Sequence, residues 1–344
     1  MSLLLDVLRN RLVMAILFVT SRCNSHCLTC FYSRRASGNE LTVEEYQKIA
    51  MNMPHFKQLM ISGGEPLLRD DLRHIVQAFL DYNHIEYLTV PTNATMPERI
   101  YDFSEKVLYL DAVRIAVKGR RLKHFNIALP VDAVGRKHDE IRGFPGNFEK
   151  LVETLRLLKP LRSQYPLFKV STVTTISSFN EQRLPELINL LSMWKDANLI
   201  DNAAVNLCRG QPRDPAASKV YIPNYAAFAK MLDAGKFSYG FRGASLWKRK
   251  TRYQHELIEQ IYREQKRVLP CYAGEMGLVI DELGNVKPCE LLDWNLGNLR
   301  ELDYDFRKIK LTDAQRDELR NRCYCTHECW LALSCLRHFN RWVL

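Results

Sequence analysis

The chain has 344 residues, 47% of them hydrophobic, with 49 Lys and Arg against 39 Asp and Glu, for a formal charge of +10 and a pI near 9.1. This length and apolar content exclude a disordered chain and suit a large catalytic domain with a smaller one; ten cysteines without a convincing export signal ahead of them argue for metal binding or catalysis in a reducing, cytoplasmic compartment. The basic excess suits an anionic partner such as a nucleic acid, a nucleotide-linked substrate or a membrane surface, but it lies scattered over amphipathic segments, as on a solvated basic face, and no apolar run is long enough to span a bilayer.

Leu12 to Val19, after Arg9 and Arg11, imitates a signal peptide but is short and lacks a small-residue cleavage site, so it reads as a buried strand. A cysteine loop follows, then a helix opened by the T-x-x-E spacing of Thr42 and Glu45. Gln58 to Ser62 is a second strand ending in Gly63-Gly64-Glu65-Pro66, and Asp70 and Asp71 open a helix with Leu72, Ile75, Val76 and Phe79 inward. Glu86 to Pro91 is a third strand closed by Thr92-Asn93-Ala94, with helix expected over Met96 to Val107. For the fourth strand both Ala112–Val117 and Asn126–Val131 qualify, and the second is preferred because the turn-forming Asp132 and Gly135 follow it. Helices over Asn147–Leu158 and Gln182–Trp194 then alternate with strands over Phe168–Ile176 and Ala203–Leu207. Six strand–helix alternations define an α/β fold, a partial (β/α)6 TIM-type barrel. The expected barrel occupies residues 1–240, a helical linker 241–268 with helix near Gln254 to Val268, and a cysteine-rich domain 269–344. That tail looks too small for an apolar core of its own, so metal is expected to supply part of its stability.

Cys23 to Cys30 reads C-N-S-H-C-L-T-C, three thiols on the loop after the first strand. Structural zinc sites and ordinary electron-transfer clusters usually take four protein ligands, so a compact trio suggests a centre with one position open, which a [4Fe-4S] cluster with one free iron fits. The plain alternative is three core cysteines adjacent by chance. The Gly63–Pro66 turn lies where barrel strands end and active sites form; its glycines would let backbone approach a ligand, and Glu65 could accept from an ammonium. Cys271 and Cys289 form C-x12-G-x4-C around Gly284, which would close a hairpin and bring two thiols onto one metal; Cys323, Cys325, Cys329 and Cys335 follow. Zinc is the alternative metal there.

The C-x3-C-x2-C spacing resembles the signature of the radical S-adenosylmethionine (SAM) enzymes, although Thr29 stands where many members have an aromatic residue. The resemblance implies that Cys23, Cys27 and Cys30 hold a [4Fe-4S] cluster, that its open iron chelates SAM, and that SAM is cleaved to methionine and a 5′-deoxyadenosyl radical. It further implies SAM-binding roles for Gly63, Gly64, Glu65 and Pro66, for Thr92 and Asn93 (otherwise an ordinary Asn turn), and for Phe31 beside the adenine. His138-Asp139-Glu140-Ile141-Arg142-Gly143 resembles a segment of members with auxiliary clusters; Arg142 would pair with the SAM carboxylate, or else make a surface ion pair at a helix entrance. Thr172 and Arg209, at the ends of strands five and six, are pocket candidates. The C-terminal cysteines resemble SPASM and twitch domains and imply at least one auxiliary [4Fe-4S] cluster. Its first four ligands would be Cys271, Cys289, Cys325 and Cys329, with Cys323 the alternate and Cys335 the last choice.

The expected function is hydrogen-atom abstraction from a small-molecule substrate of sugar or nucleoside type, giving oxidation, epimerisation or rearrangement, with a flavodoxin or ferredoxin as electron donor. Modification of a ribosomally made peptide is the close competitor. A zinc-stabilised nucleic-acid-binding protein and a radical enzyme acting on RNA are the more distant ones. Cys208, at the end of strand six, is either a hydrogen-atom donor to the substrate radical or a core residue.

Overall fold

Short β-branched and aliphatic runs alternate with amphipathic helices along the first two thirds of the chain, and each run becomes a strand. The computed structural model describes residues 2–32, 38–119, 122–235, 237 and 244–343. Helix α1 (Ser2–Leu8) precedes β1 (Met14–Phe18), followed by α2 (Val43–Asn52), β2 (Gln58–Ser62), α3 (Leu72–Tyr82), β3 (Tyr87–Pro91) and α4 (Pro97–Lys118). Then come β4 (His124–Pro130), α5 (Arg136–Arg142), α6 (Asn147–Gln164), β5 (Phe168–Ile176), α7 (Leu184–Asp196), β6 (Asn202–Leu207) and α8 (Ile222–Ala234). The expected capping box is present at α2: Thr42 Oγ1 accepts from Glu45 N (3.3 Å), and Glu45 Oε2 accepts from Thr42 N (2.8 Å).

Strands β1 to β6 are parallel and neighbours in chain order, the partial (β/α)6 barrel expected. The preferred fourth strand is the real one, while Ala112–Val117 belongs to α4, which runs eleven residues past the expected end at Val107 and stops at Gly119 in the left-handed conformation (φ 62°). The β-branched run Ala112–Val117 has no strand partner left to it, because β3 and β4 pair directly from Tyr87↔His124 to Pro91↔Ala128. Side chains alternate across the sheet. Leu59, Ile61, Leu88, Val90, Phe125 and Ile127 are at most 1% exposed and form the core under the helices, while Met60, Thr89 and Asn126 on the other face line the barrel interior.

The C-terminal part is not a separately cored domain. After α9 (Ala244–Glu264), β7 (Gly277–Ile280) pairs in parallel with β1, and β8 (Asn285–Lys287) and β9 (Gly297–Asn298) extend the same sheet antiparallel, so among the described residues one sheet runs β6-β5-β4-β3-β2-β1-β7-β8-β9. Gly284 turns the β7–β8 hairpin with φ 87°. Leu278, Val279, Ile280, Val286 and Leu299 join the barrel's hydrophobic core. The tail, too small for an apolar core of its own, therefore draws apolar stabilisation from the barrel's β1 edge. The expected linker helix near Gln254–Val268 begins at Ala244 and ends at Glu264, and the expected boundary at 240/241 lies outside the described residues. After α10 (Asp313–Asp317), α11 (Glu328–Arg337) crosses the end of the barrel where the strands begin; a Cβ on Gly277 would stand 2.5 Å from the Trp330 ring. A last turn, α12 (Asn340–Val343), packs on α9. No helix among the described residues is long and apolar enough to cross a membrane.

Candidate active site

Two glycines set the position of the cysteine loop. Gly64 N donates to Thr20 O (2.8 Å) and Glu65 N to Arg22 O (2.8 Å), which lays the turn after β2 directly against the chain entering Cys23. A Cβ on Gly63 would meet Thr20 O at 2.4 Å, and one on Gly64 would meet Arg22 O at 2.1 Å. A backbone carbonyl thus lies where a side chain at either glycine would project, and the glycines are required for loop packing. Pro66 opens the short helical turn that follows. From the other side Glu40 Oε1 accepts from Thr20 Oγ1 (2.6 Å) and Ser21 N (3.0 Å).

Glu65 is fully buried, and its carboxylate is already engaged: Oε1 accepts from Leu67 N (3.1 Å) and Thr92 Oγ1 (2.8 Å), Oε2 from Asn93 N (2.6 Å). Burial raises its pKa against these hydrogen bonds. Thr92 and Asn93 are therefore held by the Gly-Gly-Glu-Pro turn. Asn93 Nδ2 donates to Asn24 Oδ1 (2.6 Å) and reaches Cys23 Sγ at 3.9 Å, while Asn147 Nδ2 binds Asn93 O (2.9 Å).

Helix α5 packs on the far side of the loop. Leu28 N donates to Ile141 O (2.9 Å), and Gly143, at φ 58°, leaves no room for a Cβ beside His26 O (2.5 Å). Arg142 stands at the exit of this helix and not at an entrance, and it is no surface ion pair: its side chain is 14% exposed and Nη1 meets Asp132 Oδ2 at 3.3 Å. Its guanidinium pulls the Cys27 thiol down while burial pushes that thiol up to about 11, and its own pKa is raised by Cys27, Asp132 and Cys30 against the opposing effect of burial. Its Nε is buried without a hydrogen-bond partner among the described residues. Asp132 also accepts from Thr175 N (2.9 Å), and its backbone N–H donates to His138 Nδ1 (3.1 Å), so the ends of β4 and β5 are tied to α5.

The segment after β6 closes the ring. Arg213 N donates to Cys30 O (3.0 Å) and Asp214 N to Leu28 O (2.9 Å). Cys208, just beyond β6, is 8% exposed, and burial pushes its thiol up to about 11. Arg209 pairs with Glu328 Oε2 (2.8 Å) at the start of α11 and lies over the Phe31 ring at 5.6 Å, linking the cysteine loop to the C-terminal part. Thr172 is misplaced by the sequence reading. It pairs with Leu129, on the helix-packed face; Asn126 Nδ2 bonds Ser171 Oγ (2.8 Å) on the barrel side, so a one-residue shift in β5 reverses the face.

Among the described residues no cysteine is disulfide-bonded, and no three His, Cys, Asp or Glu side chains form a single-ion cage. Cys23 is exposed, Cys30 half-buried and Cys27 buried, and their thiols act on one another electrostatically. Three unbridged thiols at a barrel mouth, backed by an arginine with an unpartnered buried nitrogen, fit an anionic cluster with one open ligand position. In the C-terminal part, beneath the larger effect of burial, Cys271 raises the pKa of Cys289, Cys323 and Cys325, Cys325 raises that of Cys289 and Cys323 that of Cys325, while Arg267 lowers those of Cys271, Cys323 and Cys325. This brings Cys323 into the group. Cys329 adjoins it beside Glu290 and Arg209 and lines the barrel cavity, whereas Cys335 is fully buried on α11 and responds to Lys250.

Sequence reasoning missed the polar residues that hold these thiols: Asn24, Glu40, Asp132, Asn147, Glu290 and His327. Glu290 accepts from Trp330 Nε1 (3.1 Å) and pairs closely with His327, both buried, which brings its pKa down to about 2 despite desolvation. Adjacency to cysteines was the available signal, since Glu290 follows Cys289 and His327 stands two before Cys329.

Fold and site together define a parallel α/β partial barrel whose cysteine-bearing loop lies at the C-terminal ends of its strands. The family model described as the radical SAM superfamily matches residues 17–191, slightly more than half of the chain, and the protein belongs to that superfamily. Its members use a [4Fe-4S] cluster and SAM. Pre-heme d1 synthase of Dinoroseobacter shibae is 28% identical over 211 residues, 58% of this chain and 47% of that protein. AdoMet-dependent heme synthase of Methanosarcina barkeri is 25% identical over 328 residues, 89% and 85% of the two chains. The chain thus spans about half the length of the first relative and most of the second. Among solved structures, Streptococcus suis SuiB bound to its precursor peptide SuiA superposes with a TM-score of 0.61 at 16% identity, over 94% of this chain and 71% of SuiB. The enzyme anSMEcpe with bound AdoMet gives 0.57 at 17%, over 90% and 82%. These likenesses bear on the fold, including its twitch/SPASM-like C-terminal part.

Proposed function

We propose that this protein is a radical SAM enzyme that abstracts a hydrogen atom from a small molecule with an apolar body, held inside the barrel. The observation that carries this reading is a cavity of about 750 Å³, walled by Met14, Met60, Ala332, Leu333 and Leu336 with Gln58, Thr89, His124 and Asn126 as polar points among them, and bounded by Cys329 of α11. Such a wall suits an apolar ring system better than a bare sugar or nucleoside. The near full-length likeness to an AdoMet-dependent heme synthase supports a small molecule over a ribosomal peptide.

Cys23, Cys27 and Cys30 would hold the cluster, which when bound supplies the electron that cleaves SAM to methionine and a 5′-deoxyadenosyl radical. Asn93 and Asn24 orient Cys23, and Arg142 offsets the thiolate charge while presenting its free Nε to an anionic group such as the SAM carboxylate. Cys271, Cys289, Cys323 and Cys325, with Cys329 adjoining, are the proposed ligands of an auxiliary cluster. Cys208, kept protonated by burial at the end of β6, would give its hydrogen atom to the substrate radical, leaving a thiyl radical that one electron from the reductant and a proton return to the thiol. A flavodoxin- or ferredoxin-type carrier is the proposed reductant.

Anaerobic reconstitution with SAM and dithionite, followed by quantification of 5′-deoxyadenosine and deuterium transfer from porphyrin, nucleotide and peptide candidates, tests the reading. Zinc without sulfide, or no 5′-deoxyadenosine from a protein with full iron and sulfide, overturns it. Deuterium transfer only from peptides or nucleotides overturns the apolar substrate class. If Cys208→Ala converts substrate to the same product at the same rate, the donor role is wrong.

A further inference from the structure

Lys250 is a buried cation with no carboxylate partner among the described residues; the ionisable groups beside it are the Cys335 and Cys329 thiols. The residue is 4% exposed and sits on α9, where Nζ donates to Gln254 Oε1 (2.8 Å) and lies 4.6 Å from the centre of the Trp247 ring. Among the described residues, those neutral partners leave two of its three ammonium protons without an acceptor. It lines a second cavity of about 280 Å³ between β6, α8, α9 and α11. Trp247, Cys329 and Ala332 line both this cavity and the large one, so the two meet along the start of α11.

The acids on this second wall are already occupied. Glu328 pairs with Arg209 (2.8 Å) and accepts from Leu207 N (3.3 Å), and Asp233 pairs with His255 (3.1 Å). Lys248 Nζ, also on the wall, donates to Gly235 O (3.4 Å). A desolvated ammonium facing open space is costly unless an anion joins it.

We propose that the Lys250 cavity binds an anionic group, carboxylate or phosphate, of a substrate whose apolar body fills the adjoining barrel cavity. The inference rests on the substrate class proposed above. Lys250 then acts as a specificity residue, rejecting neutral analogues because its charge would stay buried and unpaired.

The test is calorimetric titration of the reconstituted full-length protein with decanoate, decyl phosphate and decanol, in wild type, Lys250→Gln and Lys250→Arg. Wild type is expected to bind one or both anions at least tenfold more tightly than decanol; the stronger of the two identifies the anion. Lys250→Gln should lose that preference with decanol affinity unchanged, and Lys250→Arg should keep it. The Gln variant should melt at or above the wild-type temperature, since it removes an uncompensated charge; a lower melting temperature with ligand preference intact would assign Lys250 a structural role instead. Equal binding of decanoate, decyl phosphate and decanol to wild type, no binding of any, or an undiminished preference in Lys250→Gln overturns the proposal. Wild-type 5′-deoxyadenosine formation is measured separately on the same preparation, and its absence would sink the enzyme reading while leaving the anion site standing.

Discussion

Replacing Gly64 by alanine puts a methyl group where the structure has a carbonyl. The new Cβ would lie 2.1 Å from Arg22 O, 2.6 Å from Arg22 C and 2.9 Å from Ser21 O, all backbone atoms with no rotamer to yield. To regain van der Waals separation the Ser21–Arg22 strand must retreat by more than about 1 Å. That retreat stretches the Glu65 N to Arg22 O hydrogen bond. Overpacking plus a weakened hydrogen bond amounts to roughly 2–4 kcal/mol, or a fall of about 4–8 °C in melting temperature. Because Cys23 follows Arg22 directly, the displacement falls on the first thiol of the trio. Gly64→Ala should therefore fold, melt lower, and take up less iron and sulfide on anaerobic reconstitution, the loss confined to the N-terminal site. A variant with wild-type melting and full N-terminal cluster absorbance and EPR signal would refute the account of the glycine pair as a packing device.

Three further outcomes are expected. Substituting Cys23, Cys27 and Cys30 together by alanine should leave iron and sulfide only at the C-terminal thiols, where Cys323→Ser should cost more iron than Cys335→Ser, read by metal analysis. His138 is buried and neutral, its pKa lowered from 6.5 to about 4 chiefly by desolvation. The unfolded chain binds the extra proton first, so stability present above pH 6.5 should fall as pH drops towards 4, by up to roughly 3 kcal/mol, and His138→Gln should flatten that slope in pH-dependent melts. Arg209→Met strands the carboxylate of Glu328, both side chains being largely buried, and should cost about 3–5 kcal/mol. In a double-mutant cycle with Glu328→Gln, strict additivity would mean that the two do not act as a pair.

The chemical centre was legible in the sequence because its signals are local. Thiol spacing, a Gly-Gly-Glu-Pro turn after an apolar run, and six alternations of period 2 and period 3.6 each lie within a few residues of one another, and β2 and β5 matched their expected limits to the residue. Local pattern failed where two readings share it. Ala112–Val117 has strand composition, and its state was decided by the direct pairing of β3 with β4; Thr172 and Ser171 differ only in which face the register hands to the barrel.

What the sequence alone determined was the cluster-bearing loop, the barrel around it and the cysteine inventory of the tail. Tertiary structure decided what touches them: that backbone carbonyls stand where side chains at Gly63 and Gly64 would project, that the tail hangs its core on β1, and that Glu290, His327 and Lys250 stand beside thiols up to 85 positions distant, as Lys250 does beside Cys335. The reason is physical. Hydrogen bonding along a strand or helix is specified by near neighbours, whereas burial and charge pairing depend on which surfaces the whole chain brings into contact.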